Sequence, residues 1–256
     1  MESAPEHVAA NRERWTRSNA EFTDADAERK WAREDIVWGG FEWPEAELGI
    51  LGDVAGLDVV ELGCGTAYFS AWLARRGAHP VGVDVTPAQL ATARRMQVRH
   101  ALDFPLVEAS AEDVPLPDAS FDLALSEFGA SIWCDPGRWI AEAARLLRPD
   151  GRLLFMRGST LMLLCGLAED HVSQRLELEW DRLERMDLRA EGGGIEFHPP
   201  TGVMLGHLRR AGFELLALHE LLAPTEARTH PYYSFVTAEW ARRWPSAEIW
   251  VARKQA

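Results

Sequence analysis

Four residues have the types and spacing to hold a nucleotide-like ligand. Glu61 stands two positions before Gly63, Gly65 follows two positions later, and Asp84 lies 21 positions beyond Gly63. A glycine pair after a strand lets the backbone turn sharply and lets a ligand approach where a Cβ would collide. A carboxylate about 20 residues further on, at the next strand end, can accept from both hydroxyls of a ribose. The glycines complete neither common phosphate pattern. The sixth position of a G-x-G-x-x-G would be glycine but is Tyr68, and no Gly-Lys-Ser/Thr follows. Two further side chains are candidates for moving a proton. Glu127 closes a predicted strand, where the competing reading is a surface carboxylate. His198 offers an imidazole suited to general-base work near neutral pH, against the reading of a structural loop residue before two prolines.

The elements that must position these groups alternate. Val59, Val60 and Leu62 suit a strand buried on both faces. A helix over Ala67 to Arg76 puts Phe69, Trp72 and Leu73 on one face and ends at Gly77. His79 to Asp84 forms a second strand, and Thr86-Pro87-Ala88-Gln89 reads as a capping box with proline at the first helical position. Further strands are predicted over Phe104 to Ala109, Leu123 to Ser126, Arg152 to Met156, Phe213 to His219 and Glu248 to Arg253. Asp135-Pro136 caps a helix whose Ile140, Ala144 and Leu147 share a face, and Val203 to Ala211 forms another that ends at Gly212. Such alternation describes an α/β fold with a doubly wound sheet.

Read as a unit, Glu61-Leu62-Gly63-Cys64-Gly65 resembles motif I (E/D-x-G-x-G) of the class I S-adenosylmethionine-dependent methyltransferases. Ala67 replaces a third glycine often found there. Ser110 to Asp122 is similar to that family's D-A-E-x-L-P-F-x-D-x-S-F-D stretch, with Ser110 where aspartate is common. The run from Arg145 to Phe155 resembles the helix-turn-strand that follows motif IV, and Leu208 to Glu214 the last helix-to-strand junction. The likeness covers Leu57 to Phe155 and is to the type 11, small-molecule branch. It implies a Rossmann-like, seven-stranded mixed sheet with the last strand antiparallel between the fifth and sixth. It implies S-adenosylmethionine as cofactor and S-adenosylhomocysteine as product. Carried over, Glu61 serves the amino end of the cofactor, and Gly63, Cys64 and Gly65 give close backbone approach. Asp84 takes the ribose, with Val85 and Gln89 beside it, while Ser110, Ala111 and Glu112 surround the adenine. Glu127 faces the methyl group and the acceptor, and His198 joins it as a candidate catalytic group.

The domain plan expected is an N-terminal helical lid over residues 1–52 and a methyltransferase domain over 53–256, with an insertion at about 158–200 lining the acceptor pocket. Glu6 to Ala20 and Asp24 to Glu34 read as helices, and Trp15, Trp31, Trp38 and Trp43 must bury, most naturally over the mouth of the core. Asp170 to Arg189 is helical in pattern, Gly192 to Gly194 is a break, and Tyr232 and Tyr233 are placed at the pocket edge. A net charge of −13, from 40 acidic and 27 basic residues, disfavours phosphate backbones and anionic lipid. Three cysteines without paired spacing fit a reducing compartment. No leader opens the chain, and no apolar run nears ~18 residues, so a cytoplasmic protein is expected. No metal-ligand spacing occurs, and Gly-x-Ser-x-Gly is absent. The expected reaction is in-line transfer of the sulfonium methyl to an O, N or S nucleophile of a small, partly apolar acceptor, by a monomer or homodimer. The alternatives are a protein side-chain methyltransferase and a binding module that has lost transfer. A nicotinamide oxidoreductase is disfavoured by Tyr68.

Overall fold

The computed structural model describes residues 4–21, 24–168, 171–230 and 234–255. Its centre is a seven-stranded sheet: β1 (Asp58–Leu62), β2 (His79–Asp84), β3 (Leu106–Glu108), β4 (Phe121–Glu127), β5 (Leu147–Gly158), β6 (Phe213–Leu221) and β7 (Ala247–Lys254). The spatial order is β6-β7-β5-β4-β1-β2-β3. β1 pairs in parallel with β2 and β4, and β7 runs antiparallel to both β5 and β6. The expected seven-stranded, doubly wound α/β architecture is thus present. The helices are α1 (Glu6–Glu21), α2 (Asp24–Trp31), α3 (Tyr68–Arg75), α4 (Pro87–His100), α5 (Pro136–Leu146) and α6 (Thr201–Arg210).

Successive strand side chains point to opposite faces, so one sheet builds two cores. On one face Val60, Ala124, Leu153, Phe155 and Trp250 pack with Trp139 and Ile140 of α5 and Met204 and Leu208 of α6. On the other, Val59, Leu123, Leu125, Leu154 and Met156 pack with Phe69 and Trp72 of α3. Complete burial of such side chains contributes about 1.5–3 kcal/mol each, which fixes the sheet against both helical layers. Asp135 caps α5 as predicted, accepting from the N–H groups of Gly137 and Arg138. At Thr86 the expected capping box is absent. The residue occupies the N-cap of α4, but its hydroxyl makes no capping bond, and its N–H instead donates to Asp84 Oδ1 at 2.8 Å.

The stretch predicted as a helix over Asp170 to Arg189 is a second departure. Its described part is irregular: His171–Val172 closes a short antiparallel pair, Trp180–Arg182 is a single 3-10 turn, and Met186–Asp187 pairs with Ile195–Glu196. The reason is that no apolar stripe exists to bury. Leu176 and Trp180 are exposed and Leu183 is buried. Ser173 adds a local competitor, its Oγ accepting from Arg175 N–H and donating to Glu177. The tryptophans of the N-terminal stretch divide. Trp31 is buried beside the motif I loop and Trp15 meets Trp133 edge-on at 5.2 Å, both at the mouth. Trp38 and Trp43, on the hairpin Val37–Trp38 and Trp43–Pro44, enter the second core beneath it, with Trp38 4.9 Å from Phe69. Tyr232 and Tyr233 lie outside the described residues.

Candidate active site

The carboxyl ends of β1, β2 and β4 bring Glu61, Asp84 and Glu127 to one end of the sheet. β1 leaves its strand at Gly63, whose N–H and that of Cys64 both donate to Val83 O at 2.9 Å, tying the turn to β2. The two glycines have different tasks. A Cβ on Gly63, at φ +76°, would lie 2.6 Å from Ala130 N and 2.8 Å from Gly129 Cα, so this glycine lets two backbones touch. Gly65, at φ +55°, has open space beside it, with Gln89 Oε1 3.8 Å from where its Cβ would be. The open side of the turn is therefore at Gly65, beside Asp84 and the buried Gln89. Ala67, replacing the third glycine, adopts the left-handed conformation at φ +56° immediately before α3.

Asp84 is held ready by two backbone donors, Gly65 N–H on Oδ2 and Thr86 N–H on Oδ1, each at 2.8 Å. Burial raises its pKa, and those two N–H groups oppose the rise. Each oxygen keeps a further lone pair for a hydroxyl donor. Glu61 is buried and accepts from the N–H and hydroxyl of Ser70 in α3. Desolvation pushes its pKa up to about 8, with the Glu127 and Asp84 charges adding to the rise and Ser70 resisting it. Glu127 accepts from Gly39 N–H at 2.9 Å and from the Tyr68 hydroxyl at 2.5 Å. This residue therefore joins the N-terminal hairpin to the first turn of α3. Phe128, next in the chain, has φ +51°, so the strand end is bent sharply into its loop. Cys64 is buried, and its thiol pKa is pushed well up by burial, which leaves it inert at neutral pH.

The predicted adenine segment follows β3. Ser110 Oγ accepts from Glu112 N–H at 3.2 Å, closing a tight turn around the buried Ala111. The Glu112 side chain turns away to receive His7 of α1 at 2.5 Å, Asp135 N–H at 2.7 Å and Arg138 at 3.2 Å. It anchors α1 over the segment. Val85 is half-buried between Asp84 and Thr86. His198 stands apart from the carboxylates, with no hydrogen bond to them among the described residues. It is buried, and Nε2 lies 2.7 Å from Glu196 Oε2.

Several contacts at the mouth escaped the sequence reading. Trp31 Nε1 donates to Thr66 O in the motif I loop, and Lys30 sits 5.1 Å over the Tyr68 ring. The Asn11 amide donates to Trp133 O and Ile195 O and accepts from Ile195 N–H, so α1, the loop after β4 and residues 194–195 are clamped together. Tyr68 carried a usable signal, since it occupies the position where a dinucleotide site has glycine. Asn11 and His7 carried none, because their partners are over 100 residues away. Among the described residues no group of three metal-ligating side chains occurs, and no helix is long and apolar enough to cross a membrane.

Residues 60–155 match the family described as methyltransferase domain. The chain is 36% identical over 112 residues to the malonyl-[acyl-carrier protein] O-methyltransferase of Serratia marcescens, covering 43% of this chain and 42% of that protein. It is 36% identical over 119 residues to the demethylmenaquinone methyltransferase of Clavibacter sepedonicus, covering 46% and 48%. The chain thus spans about half the length of the curated relatives it matches. Among solved structures, an S-adenosylmethionine dependent methyltransferase from Mesorhizobium loti superposes with TM-score 0.66 at 26% identity, covering 84% of this chain and 99% of that one. The fold extends to the Burkholderia thailandensis 1,6-didemethyltoxoflavin-N1-methyltransferase, solved with bound 1,6-didemethyltoxoflavin and S-adenosylhomocysteine, at TM-score 0.56 and 18% identity over all of this chain and 92% of that one.

Proposed function

We propose that this chain, which belongs to the class I S-adenosylmethionine-dependent methyltransferase family, transfers a methyl group to an O, N or S nucleophile of a small, partly apolar acceptor. One observation carries the reading: Glu61, Asp84 and Glu127 stand together around a glycine turn at the ends of three neighbouring parallel strands. A turn ringed by carboxylates repels a pyrophosphate and suits a ligand with cationic centres and a ribose. The residues present fit S-adenosylmethionine. Asp84 is aligned by Gly65 and Thr86 to take ribose hydroxyls, Gly65 leaves the approach open, and the buried Glu61 lacks a cationic partner among the described residues.

When bound, the cofactor supplies a methyl on a positively charged sulfur, already activated for displacement. The protein's tasks are then alignment and exclusion of water. The helices α1 and α2 perform the second, since they cross the mouth through His7, Asn11 and Trp31. Such a cover favours a small acceptor over a protein side chain. Glu127, reached by Tyr68 and Gly39, is placed to orient the acceptor or take its proton where it is protonated. Calorimetric titration with S-adenosylhomocysteine, NAD as comparator and Asp84→Ala as control, tests the site. Micromolar binding that the substitution weakens and NAD does not reproduce is expected. Absence of binding to folded protein would refute the reading.

A further inference from the structure

The mouth of the site carries a cation that no anion answers among the described residues. The chain has two lysines, and Lys254 is engaged, donating to Leu147 O at 2.8 Å. Lys30, in the last turn of α2, makes no hydrogen bond or ion pair through Nζ among the described residues. Its neighbours in sequence are paired, Arg29 with Asp26 and Arg33 with Glu42. Lys30 is half-buried, and its ammonium stands 5.1 Å over the Tyr68 ring. The base of the side chain is fixed from two sides. Trp72 Nε1 donates to Lys30 O at 2.9 Å, and the next residue, the fully buried Trp31, donates to Thr66 O at 2.8 Å in the turn after β1. The charge is felt nearby: burial lowers the pKa of His230, and Lys30 adds to the fall.

The carboxylates of the same sheet end are engaged without Lys30. Ser70 serves Glu61, Gly65 and Thr86 serve Asp84, and Gly39 and Tyr68 serve Glu127. Tyr68 opens α3 and Ser70 follows two residues later, so the ring under Lys30 and the donor on Glu61 share one turn of helix. The place is open to a ligand, since Gly65, Thr66, Tyr68 and Glu127 are all only half-buried. A ligand that puts an ammonium on Glu61 enters a ring of three carboxylates. An α-amino acid brings in addition a carboxylate of its own, which those groups repel and which needs a cation beside it. An ammonium resting on an aromatic face is only partly compensated, and it has three N–H donors to offer such a group.

We propose that Lys30 is a cofactor-binding residue whose ammonium holds the carboxylate at the amino-acid end of S-adenosylmethionine while Glu61 takes the amino group, an assignment that rests on the methyltransferase reading above. Calorimetry of the full chain compares S-adenosylhomocysteine with its decarboxylated analogue, which keeps the adenosine, the thioether and the ammonium. Wild type is expected to bind S-adenosylhomocysteine about tenfold or more tightly than the analogue, the discrimination of a hydrogen bond between charged groups. Lys30→Met keeps an apolar stem over the ring and should erase or reverse that preference, because the three carboxylates then act unopposed on the carboxylate of the ligand. Lys30→Arg should retain part of it. Asp84→Ala should weaken both ligands alike and leave their ratio intact, which separates a lost carboxylate contact from general damage to the site. Should Lys30→Met fail to fold in a thermal melt, Lys30→Gln takes its place. A wild type without preference for S-adenosylhomocysteine, or a preference that survives in full in Lys30→Met, would overturn the assignment. If neither ligand binds folded wild type, it is instead the methyltransferase reading that falls.

Discussion

Raising the pH from 6 to 8 is expected to tighten cofactor binding, with Glu61 as the responsible group. In the free protein desolvation holds this carboxyl largely protonated up to about pH 8. The proposed partner is the cationic amino end of the cofactor, which pairs with the carboxylate and not with the neutral acid. Binding below pH 8 therefore releases a proton, and the apparent dissociation constant should fall by about tenfold per pH unit, or about fifty-fold between pH 6 and 8. The sign for the free protein is the opposite. A carboxyl raised from 4.5 to about 8 stabilises the fold fully below its unfolded value and loses that contribution as pH climbs through 8. The loss has a ceiling of about 5 kcal/mol at 1.36 kcal/mol per pKa unit. Thermal melts should thus show the free protein weakening with pH while the shift induced by S-adenosylhomocysteine grows. Calorimetry in two buffers of different ionisation enthalpy counts the proton directly. A Glu61→Gln variant should bind with a flat pH profile. A wild-type constant that stays within about twofold over the range, or a steep slope retained by Glu61→Gln, would refute the reasoning.

Three further outcomes test the geometry. Asp84→Ala should weaken S-adenosylhomocysteine binding by about tenfold to a hundredfold in calorimetry, the loss expected when charge-assisted hydrogen bonds to a ribose disappear. The two motif glycines should separate: Gly63→Ala forces a Cβ to within 2.6 Å of Ala130 N and should lower the melting temperature sharply, whereas Gly65→Ala adds only the strain of a side chain at φ +55° and should lower it less, while binding the cofactor poorly. Equal behaviour of the two in melting and binding would contradict the assignment of the open face to Gly65. Asn11→Ala removes three hydrogen bonds, two of them buried, that clamp α1 to Trp133 and Ile195, and denaturant melts should show a loss of about 1–3 kcal/mol. An unchanged midpoint would mean that α1 is not held by this clamp.

The fold was legible where short-range pattern decides it. Apolar runs of strand length, turn glycines and the Asp135-Pro136 cap are local signals, and the strands they mark are those observed. The positions of Glu61 and Asp84 near the carboxyl ends of neighbouring strands were legible for the same reason, since a strand end fixes where the next side chain can be. What escaped depends on partners distant in sequence. Gly63 reads as a ligand-facing glycine, yet the space beside it is taken by Gly129 and Ala130, which no local pattern reveals. The capping box at Thr86 failed because Asp84, two residues earlier, claims the N–H that begins the helix. The charged stretch after 170 satisfies helical spacing but buries Leu183 without an apolar stripe around it, and propensity without a buried face does not make a helix. Trp38 and Trp43 show the reverse case. Their need to bury was evident, but the core offers a place beside Phe69 and Met156 as well as over the mouth.

The same electrostatics that raise Glu61 bear on how the site can turn over. Carboxylates at the ends of β1, β2 and β4 act on one another through a dry interior, where charge is weakly screened. Under the proposed reading the methyl donor carries one more positive charge than the product left after transfer, with otherwise similar contacts. The three acidic groups then hold the donor more tightly than the product, and the difference is largest where water is excluded by α1 and α2. On that reading transfer would remove the charge that the cradle attracts, and the loosened product would leave past Trp31 and the His7–Glu112 contact. Such a site would couple release of its product to completion of the reaction.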